Sequence, residues 1–143
     1  MILSKLDDCI KRGLIRKMPP SKKEADKSIL RAENWLREAT VVLKADTYDS
    51  CILVSYEAMF HAARSLLIKD GFRERSHYCV ARYAEEKYVN TRQLDKEIVN
   101  LIDEYRDLRH NIAYSLELEV GMGDAIKAVN SASLVIDSIK KMV

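Results

Sequence analysis

Apolar residues recur along this chain at intervals of four and three, and that spacing restricts what it can fold into. Leu94, Ile98, Leu101, Tyr105, Leu108 and Ile112 step 4, 3, 4, 3 and 4 along the sequence, which lays all six on one face of a helix. Ala125, Val129, Ala132, Ile136, Ile139 and Val143 repeat the same steps, so another such helix closes the chain. No stretch shows the polar–apolar alternation of a strand over a useful length, and there is no internal repeat. With 48% hydrophobic and 32% charged residues but only four Gly and two Pro in 143, the composition suits helical globular structure and not disorder. The length suits one domain able to bury a core without metals or disulfides.

The remaining helices are marked by their starts and stops. Residues 4 to 12 form a short helix ending near Gly13, and Met18-Pro19-Pro20 makes a connector, because proline lacks an amide donor and restricts the residue before it. Ser21 followed by Glu24 is a capping-box signature. A long helix over about 22 to 45 carries Ala25, Ile29, Ala32, Leu36, Ala39 and Leu43 as its stripe. After the turn-forming Asp46-Thr47-Tyr48-Asp49, the next stripe is Ile52, Tyr56, Met59, Phe60, Ala63 and Leu67, ending at Asp70-Gly71. Ser76 caps a fourth helix running to about Val89, with Val80, Ala84 and Tyr88 inward. The fifth begins near Leu94 and ends at Tyr114 or Ser115, and Gly121-Met122-Gly123-Asp124 precedes the last. The expectation is an all-α, antiparallel up-and-down helical bundle of five or six helices. Residues 1–20 supply the short helix and connector, and 21–143 the bundle.

Several classes of function are excluded or unsupported. The four glycines are dispersed as helix stops, so no phosphate-cradling glycine loop exists. His61, His77 and His110 are far apart and lack the paired spacing of a helical zinc site, so no metal and no cofactor is expected. Cys9, Cys51 and Cys79 are odd in number and widely spaced, which suggests neither a disulfide framework nor zinc and fits a reducing cytoplasm. No apolar run approaches the roughly 20 residues needed to span a bilayer, and Asp7-Asp8 interrupts the start where a signal peptide would continue apolar. The first 31 residues carry nine Lys/Arg against four Asp/Glu, and this basic end reads as solvated surface.

One stretch suggests chemistry. Between Glu104 and Tyr114, two arginines, an imidazole, an amide and a phenol crowd beside the packing seam. Arg106, His110 and Tyr114 are spaced by four and form one ridge. Arg109 and Tyr114, five apart, differ in direction by roughly 140° on a straight helix, so they meet on one ligand only if the helix ends between them or a second subunit completes the site. Arg106, Arg109 and Asn111 are the candidates for holding phosphate, and Arg109, His110 and Tyr114 for catalysis. The competing account pairs Arg106 and Arg109 with Asp103, Glu104 or Asp107 as surface ion pairs while Tyr114 packs. Glu57 and His61, four apart, share a face of the third helix; a partly exposed histidine packing its ring accounts for that placement without chemistry.

The chain resembles the HEPN family of small helical domains, in particular its prokaryotic stand-alone group. The resemblance rests on Ala32-Glu33-Asn34-Trp35-Leu36-Arg37-Glu38-Ala39, on Tyr48-Asp49-Ser50 leading into Ser55-Tyr56-Glu57-Ala58-Met59-Phe60-His61-Ala62-Ala63-Arg64-Ser65-Leu66-Leu67, on Ser76-His77, and on Arg109-His110-Asn111-Ile112-Ala113-Tyr114. It implies a helical bundle that pairs as a homodimer. In several branches it also implies a metal-independent RNA-cutting toxin partnered by a minimal nucleotidyltransferase antitoxin. Arg109 matches the arginine of the family motif and His110 its polar position, while Tyr114 stands where the catalytic histidine would. A phenol with a pKa of about 10 is a poor general base at neutral pH, which favours nucleotide or RNA binding at a dimer cleft over cleavage. The alternatives are a non-catalytic dimerisation module and an endoribonuclease using His110 instead. In related systems a tyrosine beside the motif is itself nucleotidylated, which makes Tyr114 a candidate acceptor.

Overall fold

The structure, a computed structural model, describes residues 2–143. Six α-helices are present among the described residues, at α1 (Lys5–Lys11), α2 (Lys22–Lys44), α3 (Tyr48–Asp70), α4 (His77–Ala84), α5 (Lys96–Tyr114) and α6 (Met122–Lys140). α4 runs on into a π-helical turn, Glu85–Val89. The all-α bundle read from the periodicity is what forms. Two three-residue strands, β1 (Ile15–Lys17) and β2 (Phe72–Glu74), accompany the helices and leave the all-α reading standing; they pair antiparallel with Ile15 opposite Glu74. They were too short to show an alternation.

Helix ends follow the local chemistry. Ser4, Ser21 and Ser76 each accept from the backbone N–H three residues on, at 3.0, 3.0 and 3.3 Å, satisfying a first-turn donor. Only half of the capping box at Ser21 forms, because the Ser21 N–H donates to the Ile68 carbonyl at 3.2 Å. That bond ties the start of α2 to the end of α3. Gly71 closes α3 at φ +93° in the left-handed region, a conformation that costs other residues a Cβ clash.

α3 is the centre of the bundle and packs against α2, α4, α5 and α6. Cys51, Ile52, Tyr56, Met59, Leu66 and Leu67 on it are wholly buried, and burial of a large apolar side chain contributes about 1.5–3 kcal/mol each. By length and composition α3 is also apolar enough to cross a bilayer, contrary to the expectation that no segment comes near this. Of its most apolar window, 67% is buried within the fold, as a helix covered on nearly all sides must be.

Cys9 of α1 and Cys79 of α4 are joined in a disulfide, 70 residues apart in sequence. This overturns the reading of three unpaired thiols: the spacing carried no hint that α1 folds back over α4. Cys51 stays free and buried, its Sγ 3.4 Å from the Ala39 carbonyl oxygen.

Candidate functional site

The seam of α5 is deep at its start and shallow at its end. Ile98, Val99, Ile102 and Tyr105 are buried, Leu108 and Ile112 are half-buried, and His110, Asn111, Ala113 and Tyr114 lie exposed. Tyr114 is 75% exposed, and Leu116 just beyond the helix is fully so. The last two turns of α5 therefore form a wall above α3 whose outer side is left uncovered by the described residues.

Between that wall and α2 runs a cleft of about 560 Å³. Its floor is Leu53, Val54 and Glu57 of α3, one side is Trp35 of α2, and the other is Arg109, His110, Ala113 and Tyr114 of α5. α5 continues unbroken to Tyr114, yet Arg109 and Tyr114 both border this cleft, because the long guanidinium side chain reaches down toward α3. The Arg109 Nε stands 3.9 Å from Glu57 Oε1, and its guanidinium carbon lies 5.5 Å from the centre of the Tyr56 ring. His110 and Tyr114 are neighbours, ring centres 4.9 Å apart.

Arg106 is elsewhere. Its guanidinium donates to Asp103 at 2.7 Å and lies 5.5 Å from the centre of the Tyr78 ring. Asp103 also accepts from Arg82 at 2.5 Å, so Arg106 belongs to a compact ion network, the arrangement anticipated for a structural pair. Asn111 is exposed and does not line the cleft. Of the five residues singled out on α5, the cleft gathers Arg109, His110 and Tyr114.

Two histidines stand close to Glu57 and Tyr56, outside the lining of the cleft. His61 Nε2 stands 3.9 Å from Glu57 Oε2, so one carboxylate lies between Arg109 and His61. His77, at the first turn of α4, stacks on Phe60 with ring centres 3.9 Å apart and meets the Tyr56 hydroxyl at 2.9 Å through Nδ1. Tyr56 is wholly buried, and this contact gives its hydroxyl a hydrogen-bond partner. Burial pushes the Tyr56 phenol far up, with Arg106 and Arg109 pulling against it. His61 is held down to about 4, first by burial and then by Arg64 and Arg31. Burial also lowers His77, helped by Arg109 and Arg64. Both imidazoles are thus neutral near pH 7. The signal that would have found them was the Glu57, His61, Arg64 spacing of four and three on one face of α3. Trp35 and Tyr56 carried no comparable signal.

No group of three or more His, Cys, Asp or Glu side chains with metal-holding geometry occurs among the described residues.

Comparison with known proteins places the chain. The family model of the HEPN domain matches residues 25–142. A protein of Methanocaldococcus jannaschii named a "putative toxin" is 23% identical over 120 residues, covering 84% of this chain and 82% of the relative. A "UPF0332 protein" of Archaeoglobus fulgidus is 27% identical over 124 residues, covering 84% of this chain and 95% of the relative.

Proposed function

The chain belongs to the HEPN domain family, and from that premise we propose that it binds the phosphate of a nucleotide or of RNA in the cleft between α2, α3 and α5, as a homodimer. Arg109 carries the reading. A guanidinium prefers bidentate hydrogen bonds to phosphate oxygens, and that of Arg109 has only a 3.9 Å approach to Glu57 in the cleft. Its side chain is 41% exposed, so a ligand has access to it. His110 supplies a further polar group at the rim, and Trp35 and Tyr114 offer aromatic faces on which a base stacks.

The second copy is expected to sit against the uncovered end of α5, where Tyr114, Leu116 and Leu118 are exposed together. The relative named a putative toxin, together with the membership of the HEPN family, supports a toxin–antitoxin role, for which the partner would be a minimal nucleotidyltransferase. The accessible Tyr114 hydroxyl is then the acceptor for nucleotidyl transfer: the phenol oxygen bonds to the α-phosphate and pyrophosphate leaves. Co-expression with such an enzyme should add one nucleotide to the intact mass, lost in Tyr114→Phe.

The decisive experiment is calorimetric titration of adenosine monophosphate and of a short RNA at low salt into wild type and Arg109→Ala. Loss of binding in the variant, with its melting temperature kept, is the result expected. Wild type that binds neither ligand, or a variant that binds as well, overturns the reading. Sedimentation of the same two proteins separates ligand binding from a purely dimerising role, which predicts that Arg109→Ala shifts the monomer–dimer balance and nothing else.

A further inference from the structure

Residues 115–120, which join α5 to α6, alternate in character: Leu116, Leu118 and Val120 are apolar, and Glu117 and Glu119 stand between them. In an extended chain successive side chains point to opposite sides, so this short segment has one apolar and one acidic side. It is anchored at its ends. The Ser115 N–H donates to the Asn111 carbonyl at 2.7 Å, the Gly121 N–H donates to the Asp124 carboxylate at 2.9 Å, and Val120 packs on the core. Between those anchors Leu116 is fully exposed, and Glu117 and Glu119, exposed as well, pair with no cation among the described residues.

The cleft beside the segment is divided in the same way. Trp35, Leu53 and Val54 make one part of it apolar, while Arg109 and His110 on the α5 side are polar and include the one Lys or Arg side chain of the lining. That guanidinium has only its loose contact with Glu57. Tyr114 borders the cleft and ends α5, so the segment departs from the cleft's own rim while Leu116 projects into solvent. A two-fold axis beside Tyr114 brings the segment of each copy to the cleft of the other, the self-complementary contact that a symmetric pair requires.

We propose that residues 116–119 of a second copy seat in this cleft, Leu116 against Trp35, Leu53 and Val54 and Glu117 on Arg109, and that the exchange is reciprocal. This rests on the homodimer reading above and goes beyond it in naming the segment exchanged and the ion pair that selects it. The site is then completed by the other copy, whose Glu117 competes at Arg109 with any anion that enters.

Sedimentation velocity of the full chain over a concentration series tests the seat, with wild type, Leu116→Asp, Glu117→Arg, Arg109→Glu and an equimolar mixture of the last two. Leu116→Asp changes a side chain that touches nothing in its own fold, and it should weaken the dimer with the circular dichroism melt of the monomer kept. Each charge reversal strikes a symmetric pair twice, so each should weaken the dimer about tenfold or more. The mixture should associate again, because a Glu117→Arg chain and an Arg109→Glu chain facing each other make two attractive contacts where either alone makes two repulsive ones. Wild type that stays monomeric, single variants that pair as tightly as wild type, or a mixture no tighter than its components overturns the proposal. Phosphate binding is read independently, in the titration of adenosine monophosphate: a monomeric wild type that binds it loses this seat alone, and a wild type that binds none yet passes the mixing test keeps the seat and loses the phosphate reading.

Discussion

Replacing Cys9 by Ser should destabilise the protein by about 4 kcal/mol. The disulfide joins positions 70 apart, and the chain-entropy relation for a closed loop of that length gives about 4 kcal/mol lost from the constrained unfolded state. Both sulfurs are buried, Cys9 at 2% and Cys79 at 1% exposure, so the variant adds a buried hydroxyl to the same loss. At this chain size one kcal/mol moves the midpoint by about 3 °C, so the melt should fall by about 12 °C. Circular dichroism melts of oxidised wild type, reduced wild type and Cys9→Ser measure it, and the last two should agree closely. A thiol count in denaturant without reductant should find one reactive cysteine of three, Cys51. Three reactive thiols, or a Cys9→Ser variant melting within about 2 °C of the oxidised protein, would refute the argument.

Four other outcomes follow from the packing. Gly71→Ala should cost about 2–4 kcal/mol, because φ is +93° and the new Cβ would meet the Met18 carbonyl oxygen at 2.8 Å; a denaturant midpoint unchanged from wild type sinks this. Asp70 Oδ2 accepts from the Tyr83 and Tyr88 hydroxyls at 2.8 and 2.7 Å, so Asp70→Asn should lose about 1.5–3 kcal/mol. Burial and then Asp70 raise both of these phenols. Their stability contribution is therefore complete below the unfolded pKa of about 10 and lost as pH rises beyond it, which urea midpoints across that range will register. His61 has the opposite sense: held down to about 4 against about 6.5 when unfolded, it leaves stability intact above 6.5 and erodes it as pH falls toward 4. A His61 ring resonance titrating near its ordinary value would contradict that.

How much of this was legible depended on whether the information lay within one helix. Periodicity and caps placed α2, α3 and α5 to within a residue or two, because Ser21, Ser76, Gly71 and the four–three apolar steps act locally, while α4 gives way at Ala84 to a π-helical turn up to Val89 and α6 stops at Lys140. The disulfide was hidden, since nothing near Cys9 says that its neighbour will be Cys79. β1 and β2 were hidden for the same reason; their register comes from the Met18 N–H bonding to the Gly71 carbonyl at 2.9 Å, a contact between distant segments. The candidate site was half visible. Its α5 wall could be read from the Arg109 to Tyr114 stretch, but its floor is α3, whose Glu57 and His61 looked like ordinary residues on a packed helix.

The contrast between Arg106 and Arg109 shows where sequence reasoning had more to give. Each arginine meets the residues three and four positions away on its own helix. For Arg106 these include Asp103, and the ion pair forms at 2.7 Å. For Arg109 they are Tyr105, Arg106, Ile112 and Ala113, with no acid among them. An arginine without a local partner must stay solvated or find an anion on another element, and Arg109 finds Glu57 of α3 only loosely. The missing acid, more than the family motif around it, marks Arg109 as the guanidinium left over for a ligand. The same test on α3 points to Arg64: its local positions are Phe60, His61, Leu67 and Ile68, and it too reaches off its helix, to Glu74. Arg109 is thus left in the cleft with only its loose contact to Glu57, whereas Arg64 is taken up by the buried Glu74.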